Sequence, residues 1–301
     1  MPGVKELRSL RMRAEVANGS PLTPRWLWRG PVEGIEDQRE VKNAEENIGI
    51  YGGGDRTYTA KLLAALEIPE TEATFEQLPS LFMMAGLGTS GGGNRTGSAQ
   101  GASGSTVVFT LPIPGSVQPV TYSCTDEAGD DAWAEQMAYT LADEVKLTFG
   151  GGEAMMVSAS LTGRNGTPTN AVGSFNAIGS LVTVEEILAG AGSFWLTPAG
   201  SNWGTGAVTA GNILAGEITF TPTWTRKFSV DSGNLYFATA VFTSIEVSGE
   251  LTLENQISGT FGVAGSAGQR EKWRSETPQL LQATWRGGAI ASGTTYTNKE
   301  L

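Results

Sequence analysis

Strict alternation of apolar and polar residues in the middle of the sequence most limits what this chain can fold into. Val145, Leu147 and Phe149 alternate with polar neighbours, and a second alternating run over 153–161 follows three consecutive glycines at 150–152. A period of two residues is that of a strand with one buried face, and a glycine-rich break between two such runs is typical of a hairpin. The sequence therefore predicts an antiparallel hairpin formed by 136–149 and 153–161.

A second pair of alternating runs, 235–247 and 250–261, predicts another long hairpin with its turn at Ser248 and Gly249. The fragments 138–148 and 240–252 resemble each other weakly, which suggests a structural repeat. The fold predicted is mainly β, with two related β-sandwich or barrel domains over residues 1–165 and 166–301. A decorating β domain in the second half, or a single irregular β domain with coincidental hairpins, remain alternatives.

One short helix is expected between the strands. Thr74 and Gln77 have the spacing of a capping box, apolar residues follow at helical spacing, and Pro79 favours a later start. The preceding strand is predicted near 60–68 and ended by Pro69. The glycine-rich stretch 88–105 is expected to be a mobile loop.

The composition excludes most catalytic chemistry. The chain has no histidine and one cysteine, Cys124, so it can form neither a histidine-based triad nor a cysteine zinc cage. Its formal net charge of −11 argues against a surface that binds phosphates. We expect a protein that is not an enzyme and that needs no cofactor and no metal.

No stretch reaches the roughly 20 apolar residues of a membrane-spanning helix, and the N-terminus lacks the apolar core of a secretory signal. A protein made in the cytoplasm, with no membrane partner, is therefore expected. Several tryptophans lie in polar, glycine- or threonine-rich stretches, where core packing is about as compatible with each one singly, but the group together favours an interface. These tryptophans are Trp26, Trp28, Trp195, Trp203 and Trp224.

An ordered series of short motifs in the first third of the chain resembles the tail tube proteins of long-tailed, non-contractile bacteriophages. The series is Gly34–Asp37 (GIED), Glu45–Gly49 (EENIG), Asp55–Tyr58 (DRTY) and Ala73–Pro79 (ATFEQLP), followed by Leu81–Gly86 (LFMMAG). The second half is similar to that family only in its β-rich character.

The resemblance implies a structural virion protein that assembles into rings, which stack into a tube through which DNA leaves the virion. Two tube domains in one chain would suit a trimeric ring, which the sequence favours; one tube domain with a decorating domain would suit a hexamer. The implied partners are further copies of the chain, the tape measure, tail terminator and distal tail proteins, and genomic DNA that passes without sequence-specific binding.

The outward-facing polar residues of the two predicted hairpins are candidates for the lining of that tube. They are Glu144, Lys146, Thr148, Ser158, Ser160, Glu250, Thr252, Glu254 and Gln256. The arm 17–57 and the loop 88–105 are candidates for contacts between rings, in particular through Trp26, Trp28, Glu36, Asp37 and Arg95.

Two other classes of function remain open from the residues alone. A carbohydrate- or receptor-binding β-sandwich module would use the tryptophans as stacking platforms. A glycosidase that works with carboxylates alone would use the acidic clusters at 33–46 and 126–135.

Overall fold

The computed structural model describes residues 8–22, 26–43, 56–87, 98–99, 105–106, 121–128, 134–168, 184–198, 213–230, 233–254, 278–289 and 298–301. Its strands are β1 (Arg8–Ala14), β2 (Trp26–Leu27), β3 (Ile35–Asp37), β4 (Glu40–Asn43), β5 (Thr57–Lys61), β6 (Ala64–Glu72), β7 (Ser98–Ala99), β8 (Ser105–Thr106), β9 (Tyr122–Ala128), β10 (Glu135–Gly150), β11 (Met156–Gly163), β12 (Gly166–Pro168), β13 (Gly192–Pro198), β14 (Ile213–Lys227), β15 (Thr239–Leu253), β16 (Gln279–Ala289) and β17 (Asn298–Glu300).

The protein is mainly β, as the alternation predicts. Ten strands form one antiparallel sheet that follows the order β2-β1-β9-β10-β11-β6-β3, with β12 and β14 also paired to β10 and with β15 paired to β14. Separate small sheets are formed by β13-β16-β17, β4-β5 and β7-β8. The last of these lies at the end of the stretch predicted as a mobile loop, most of which falls outside the described residues.

The long strand β10 makes the sheet curl. Its first part pairs with β9 and β12, and its second part pairs with β11 and β14. Register shifts between Met137 and Thr140 and between Ala142 and Glu144 separate the two parts. Bulges of this kind bend a strand and increase its twist, so one strand can serve two differently oriented halves of a sheet.

The first predicted hairpin is confirmed. In β10 and β11, Val145 lies opposite Ala159 and Leu147 lies opposite Val157, and all four side chains are buried. The intervening residues alternate to the other face. Gly152, in the turn, has φ of 89°, a backbone conformation that favours glycine.

The second predicted hairpin is wrong. Ser248 and Gly249 lie within β15, which pairs with β14 along nearly its whole length. Gly249 serves close packing there, because a Cβ at this position would stand 2.9 Å from the carbonyl oxygen of Glu217. The part of the predicted second arm after residue 254 lies outside the described residues.

The pairing of β10 with β14 crosses the domain boundary predicted after residue 165. Val145 lies opposite Phe220, and the ladder continues to Gly150 and Ala215. The main sheet therefore takes strands from both halves of the chain. The similar fragments 138–148 and 240–252 lie in two strands, β10 and β15, which pair with β14 on its two sides.

The strand predicted to end before Pro69 instead continues through it. β6 runs from Ala64 to Glu72, while β5 ends at Lys61. A register shift against β11 falls between the pairs formed by Ile68 and Thr71, which places Pro69 in a bulge. A bulge tolerates a residue that has no backbone N–H to give to the ladder.

The predicted helix is present but shorter than a full capping box implies. Helix α1 (Leu78–Phe82) begins with Pro79 in its first turn and continues as a π-helical turn over Met83–Leu87. The hydroxyl of Thr74 accepts the backbone N–H of Gln77 at 3.3 Å, one turn before the helix. Gly86, within this turn, has φ of 80° and leaves the helical conformation there.

The core lies between the curled sheet and this helical segment. It contains apolar side chains of β1, β6, β9, β10 and β11 together with Leu78, Leu81 and Met84. Strand β16 also contributes, since the ring of Trp285 packs 5.2 Å from the ring of Phe149. A smaller buried cluster around Tyr139, Trp224 and Phe237 fills the end near the start of β15.

Candidate functional site

A five-stranded part of the main sheet, in the order β6-β11-β10-β14-β15, presents a polar surface on the side away from the core. The register shows how its residues meet: Lys146 lies between Ser158 on β11 and Thr219 on β14, and Thr219 lies opposite Ser248 on β15. Because side chains alternate along each strand, cross-strand partners share a face. This surface therefore extends without interruption from β6 to β15.

Seven of the nine residues proposed as tube lining lie on this surface. Strand β14 joins the polar residues of the first predicted hairpin to those of the second, because Glu217 lies opposite both Thr148 on β10 and Glu250 on β15. The seven residues are Glu144, Lys146, Thr148, Ser158, Ser160, Glu250 and Thr252. Glu254 follows the end of β15 and is exposed, and Gln256 lies outside the described residues.

Sequence reasoning missed further glutamates on the same surface. Glu67 lies opposite Ser160, whose hydroxyl donates to its carboxylate at 2.7 Å, and Glu246 lies opposite Thr221. The alternation of residues along β14 and β6 could have identified these glutamates as outward-facing. It does not show which strands lie next to β14 and β6. We call the following set the acidic face: Glu67, Glu70, Glu72, Glu144, Lys146, Glu217, Glu246 and Glu250.

Lys146 stands among carboxylates on the acidic face. Its ammonium group is 2.7 Å from Glu217, and both side chains are partly exposed. The hydrogen bond to Glu217 raises the pKa of Lys146 above its usual value, with smaller contributions from the charges of Glu217, Glu144 and Glu70. Lys146 is therefore charged at neutral pH, and the acidic face keeps an excess of negative charge.

The acidic face suits a surface along which a polyanion moves without binding. Like charges repel a DNA duplex at distances up to about 8 Å in physiological salt, the screening length of such a solution. Hydroxyl groups of Thr148, Ser158, Ser160 and Thr219 separate the glutamates and keep the surface hydrated.

Trp28, one of the residues proposed for contacts between rings, is buried, contrary to that prediction. Its side chain is 4% exposed and packs in the main core, so it offers no surface to a neighbouring ring. Glu36 and Asp37 are exposed on β3, where Asp37 pairs with Arg39. Trp26 lies in β2 and its side chain is outside the described set, as is the whole of Arg95.

Trp224 also has a core role, which the sequence left open for each single tryptophan beside the interface favoured for the group. Its side chain is buried, its indole N–H donates to the carbonyl of Ala142 at 2.7 Å, and its ring packs edge-to-face against Phe242 at 5.4 Å. A buried tryptophan with its polar atom satisfied has no free face for a sugar or a partner.

The groups able to perform chemistry are isolated from one another in the described part of the chain. Burial raises the pKa of the Cys124 thiol to about 12, so the thiol stays protonated. The described residues contain no cluster of three or more side chains suited to hold a metal ion. Among these same residues, no helix has the length and apolar character needed to cross a bilayer.

Comparison with known proteins identifies no family: no protein-family model matches the chain, and no curated protein is significantly similar to it.

Proposed function

We propose that this protein is a structural virion protein whose copies pair through their sheets into closed rings and stack into the tail tube of a long-tailed, non-contractile bacteriophage. The motif series within residues 34–86 supports the proposal at the level of sequence. The acidic face supports it at the level of structure, because a DNA conduit needs a hydrated wall of the same charge as DNA.

The proposal rests mainly on the edge of β15 that no described strand covers. This strand is fifteen residues long and pairs with β14 on one side, and no described strand pairs with its other side. Its core-side residue Val247 is 47% exposed, although it lies opposite Phe220 in the ladder. A long edge strand with uncovered apolar residues is a site for pairing with another chain.

The opposite edge of the same five strands is also incomplete. Strand β3 covers only Ala64, Ala65 and Leu66 of β6, and Glu33 adds one backbone hydrogen bond to Glu67. Beyond Glu67, no described segment forms backbone hydrogen bonds with that edge of β6, although Gly30 lies beside the side chain of Thr71. A sheet with two open edges closes into a ring when each β15 pairs with the β6 edge of the next copy, and closure removes the edges.

Ring closure places the acidic face on the inside of the proposed tube and the core on the outside. The trimeric ring was favoured by the length of the chain and by two equivalent long hairpins, and the second hairpin is not formed. One main sheet with strands from both halves of the chain favours a single tube unit per copy, and hence six copies per ring. The tape measure, terminator and distal tail proteins would then contact the ends of the stack and its lumen.

The alternative, a carbohydrate- or receptor-binding module, has less support in this structure. The tryptophans that motivated it include Trp28 and Trp224, which are both buried. A glycosidase needs two carboxylates across a cleft, whereas the glutamates of the acidic face lie side by side on an open sheet.

A charged residue at the proposed ring contact tests the proposal. Val247→Lys puts a charge on the apolar side of β15 and should yield a folded monomer that forms no rings, judged by circular dichroism and mass photometry. Ser248→Lys is the matched control, because it adds the same charge one residue away on the other face and should leave rings intact. Rings of unchanged stability in Val247→Lys would contradict the role of β15.

A further inference from the structure

The two ends of the β14–β15 ribbon carry exposed apolar side chains. β14 spans fifteen residues from Ile213 to Lys227, so the two ends are about 45 Å apart. Single exposed apolar residues are ordinary, but groups of them held in fixed positions mark interaction sites.

The first group lies at the connection between β14 and β15, and we call it the loop patch: Lys227, Phe228, Val230 and Leu235. Val230 is fully exposed, and Phe228 and Leu235 are about two-fifths exposed. The loop is anchored on both sides. The backbone N–H of Leu62 donates to Leu235 at 3.1 Å, and the ammonium group of Lys61 lies 5.5 Å from the ring centre of Phe228.

The second group lies at the opposite end, beside the Gly150–Gly152 turn, and we call it the turn patch: Glu153, Glu186, Leu188 and Leu214. Leu188 is 60% exposed and Leu214 is 50% exposed. Both leucines are fixed by their backbones, because Gly151 donates to the carbonyl of Leu214 at 2.9 Å and Ala191 donates to that of Leu188 at 3.0 Å, while Leu188 also forms a β-bridge with Ala154.

The two patches differ in charge among the residues that the structure describes. Lys227 and Lys61 lie at the loop patch, although Lys61 also pairs with Glu40, while Glu153 and Glu186 are exposed at the turn patch. An apolar surface beside lysines at one end therefore matches an apolar surface beside glutamates at the other end. Complementary charges of this kind fix the orientation of docking more than its strength.

We propose that the loop patch of one copy docks on the turn patch of a second copy of this chain, head to tail along the ribbon. This inference rests on the proposed function and deepens it, since it identifies the surfaces through which one ring contacts the next. The contact is heterologous, because it joins different patches on the two copies, and repetition gives a filament rather than a closed dimer. A ring presents several such contacts at once, so weak individual contacts add to a stable stack.

Charge reversal tests the pairing of the patches. Lys227→Glu makes the loop patch acidic, and the double variant Glu153→Lys, Glu186→Lys makes the turn patch basic. Each protein alone should give rings of normal mass by mass photometry but filaments at least several-fold shorter in negative-stain micrographs. An equimolar mixture should restore long filaments, because every junction between alternating rings is again complementary.

The outcomes separate this inference from the proposed function. Glu135→Lys, a reversal at an exposed position outside both patches and outside the acidic face, is the control and should stack normally. Normal filaments from both single-patch proteins, or no recovery in the mixture, would overturn the docking of the two patches while leaving the rings in place. A wild-type protein that forms no rings at all would overturn the proposed function, and this inference with it.

Discussion

The carboxylate of Glu15 accepts the backbone N–H of Tyr139 at 2.9 Å, and Tyr139 has φ of 55°. A bulky residue with positive φ carries backbone strain of roughly 1–3 kcal/mol, which the surrounding contacts must offset. The hydroxyl of Tyr139 accepts the N–H of Ala240, and its ring lies 4.9 Å from the guanidinium of Arg164. The bend of β10 is thus fixed from three directions at one residue.

Glu15 binds several donors besides Tyr139. The backbone N–H of Gly19 donates at 2.6 Å, the hydroxyl of Ser123 donates at 3.0 Å, and the hydroxyl of Thr121 donates as well. Every one of these groups is a donor, so the site needs a side chain with two oxygen atoms that accept hydrogen bonds. Glu15 therefore joins the start of β9, the turn after β1 and the bend of β10.

We predict that Glu15→Gln destabilises the protein by about 2–3 kcal/mol, because an amide N–H₂ would face donors in a buried site. The measurement is the free energy of unfolding from urea titration. Glu36→Gln, at an exposed position, is the control and should change stability by less than about 0.5 kcal/mol. Equal stability of the two variants would show that Glu15 does not hold the bend.

The packing of Gly249 gives a second prediction. A methyl group there approaches the carbonyl oxygen of Glu217 at 2.9 Å, so Gly249→Ala should force β14 and β15 apart and cost about 1–3 kcal/mol. Thermal unfolding measures the loss, with Ser248→Ala as the neighbouring control. If Gly249→Ala were neutral or stabilising, β15 would not run straight through this position.

Cys124 should report on global unfolding. Its thiol is buried with a pKa of about 12, whereas a thiol in the unfolded chain titrates near pH 9. Burial thus stabilises the protonated form, so this contribution to stability is complete below pH 9 and is lost as the pH rises from 9 towards 12. At pH 8 a thiol reagent should label the native protein many-fold more slowly than the urea-unfolded chain. Rapid labelling in the absence of urea would contradict the burial of β9.

The sequence predicts elements whose signals are local. The β10–β11 hairpin follows from alternation on both sides of three glycines, and α1 follows from its apolar spacing and Pro79. The alternation of β15 was also visible, but Gly249 was interpreted as a turn residue. The contact that requires a glycine there is with the backbone of Glu217, which is distant in sequence and leaves no local signal.

The acidic face and the Glu15 site depend on pairings between distant segments. The sequence identified outward positions on two separate strand pairs, and the intervening β14 that joins them was not assigned a position. Glu15 contacts residues more than a hundred positions away, and no local pattern distinguishes it from a solvated glutamate. Trp28 and Trp224 were misjudged for the same reason, since polar flanking residues conceal the core that other strands supply.

The charge of the acidic face predicts how assembled tubes treat DNA. Replacing Glu144, Glu250 and Glu254 with lysine should leave assembly intact but make the tubes retain duplex DNA and slow its ejection. The retention should weaken steeply as salt rises from about 50 to 200 mM, since bound phosphates release counterions. Retention is measured by co-sedimentation of labelled DNA with the tubes.

The control places the same change in net charge away from the acidic face. Glu33, Asp37 and Glu135 are exposed and lie outside the acidic face, and their replacement with lysine should leave the lumen unchanged. If both triple variants retained DNA equally, net charge rather than the acidic face would govern the interaction.

The mass of the native protein over a range of concentrations tests the central claim of edge-to-edge closure most directly. Mass photometry of the wild type should give a species at six times the 31.6 kDa of one chain, or three times in a trimeric ring, with stacked rings in negative-stain micrographs at high concentration. A particle of 31.6 kDa at every concentration, with no rings in the micrographs, would contradict the account.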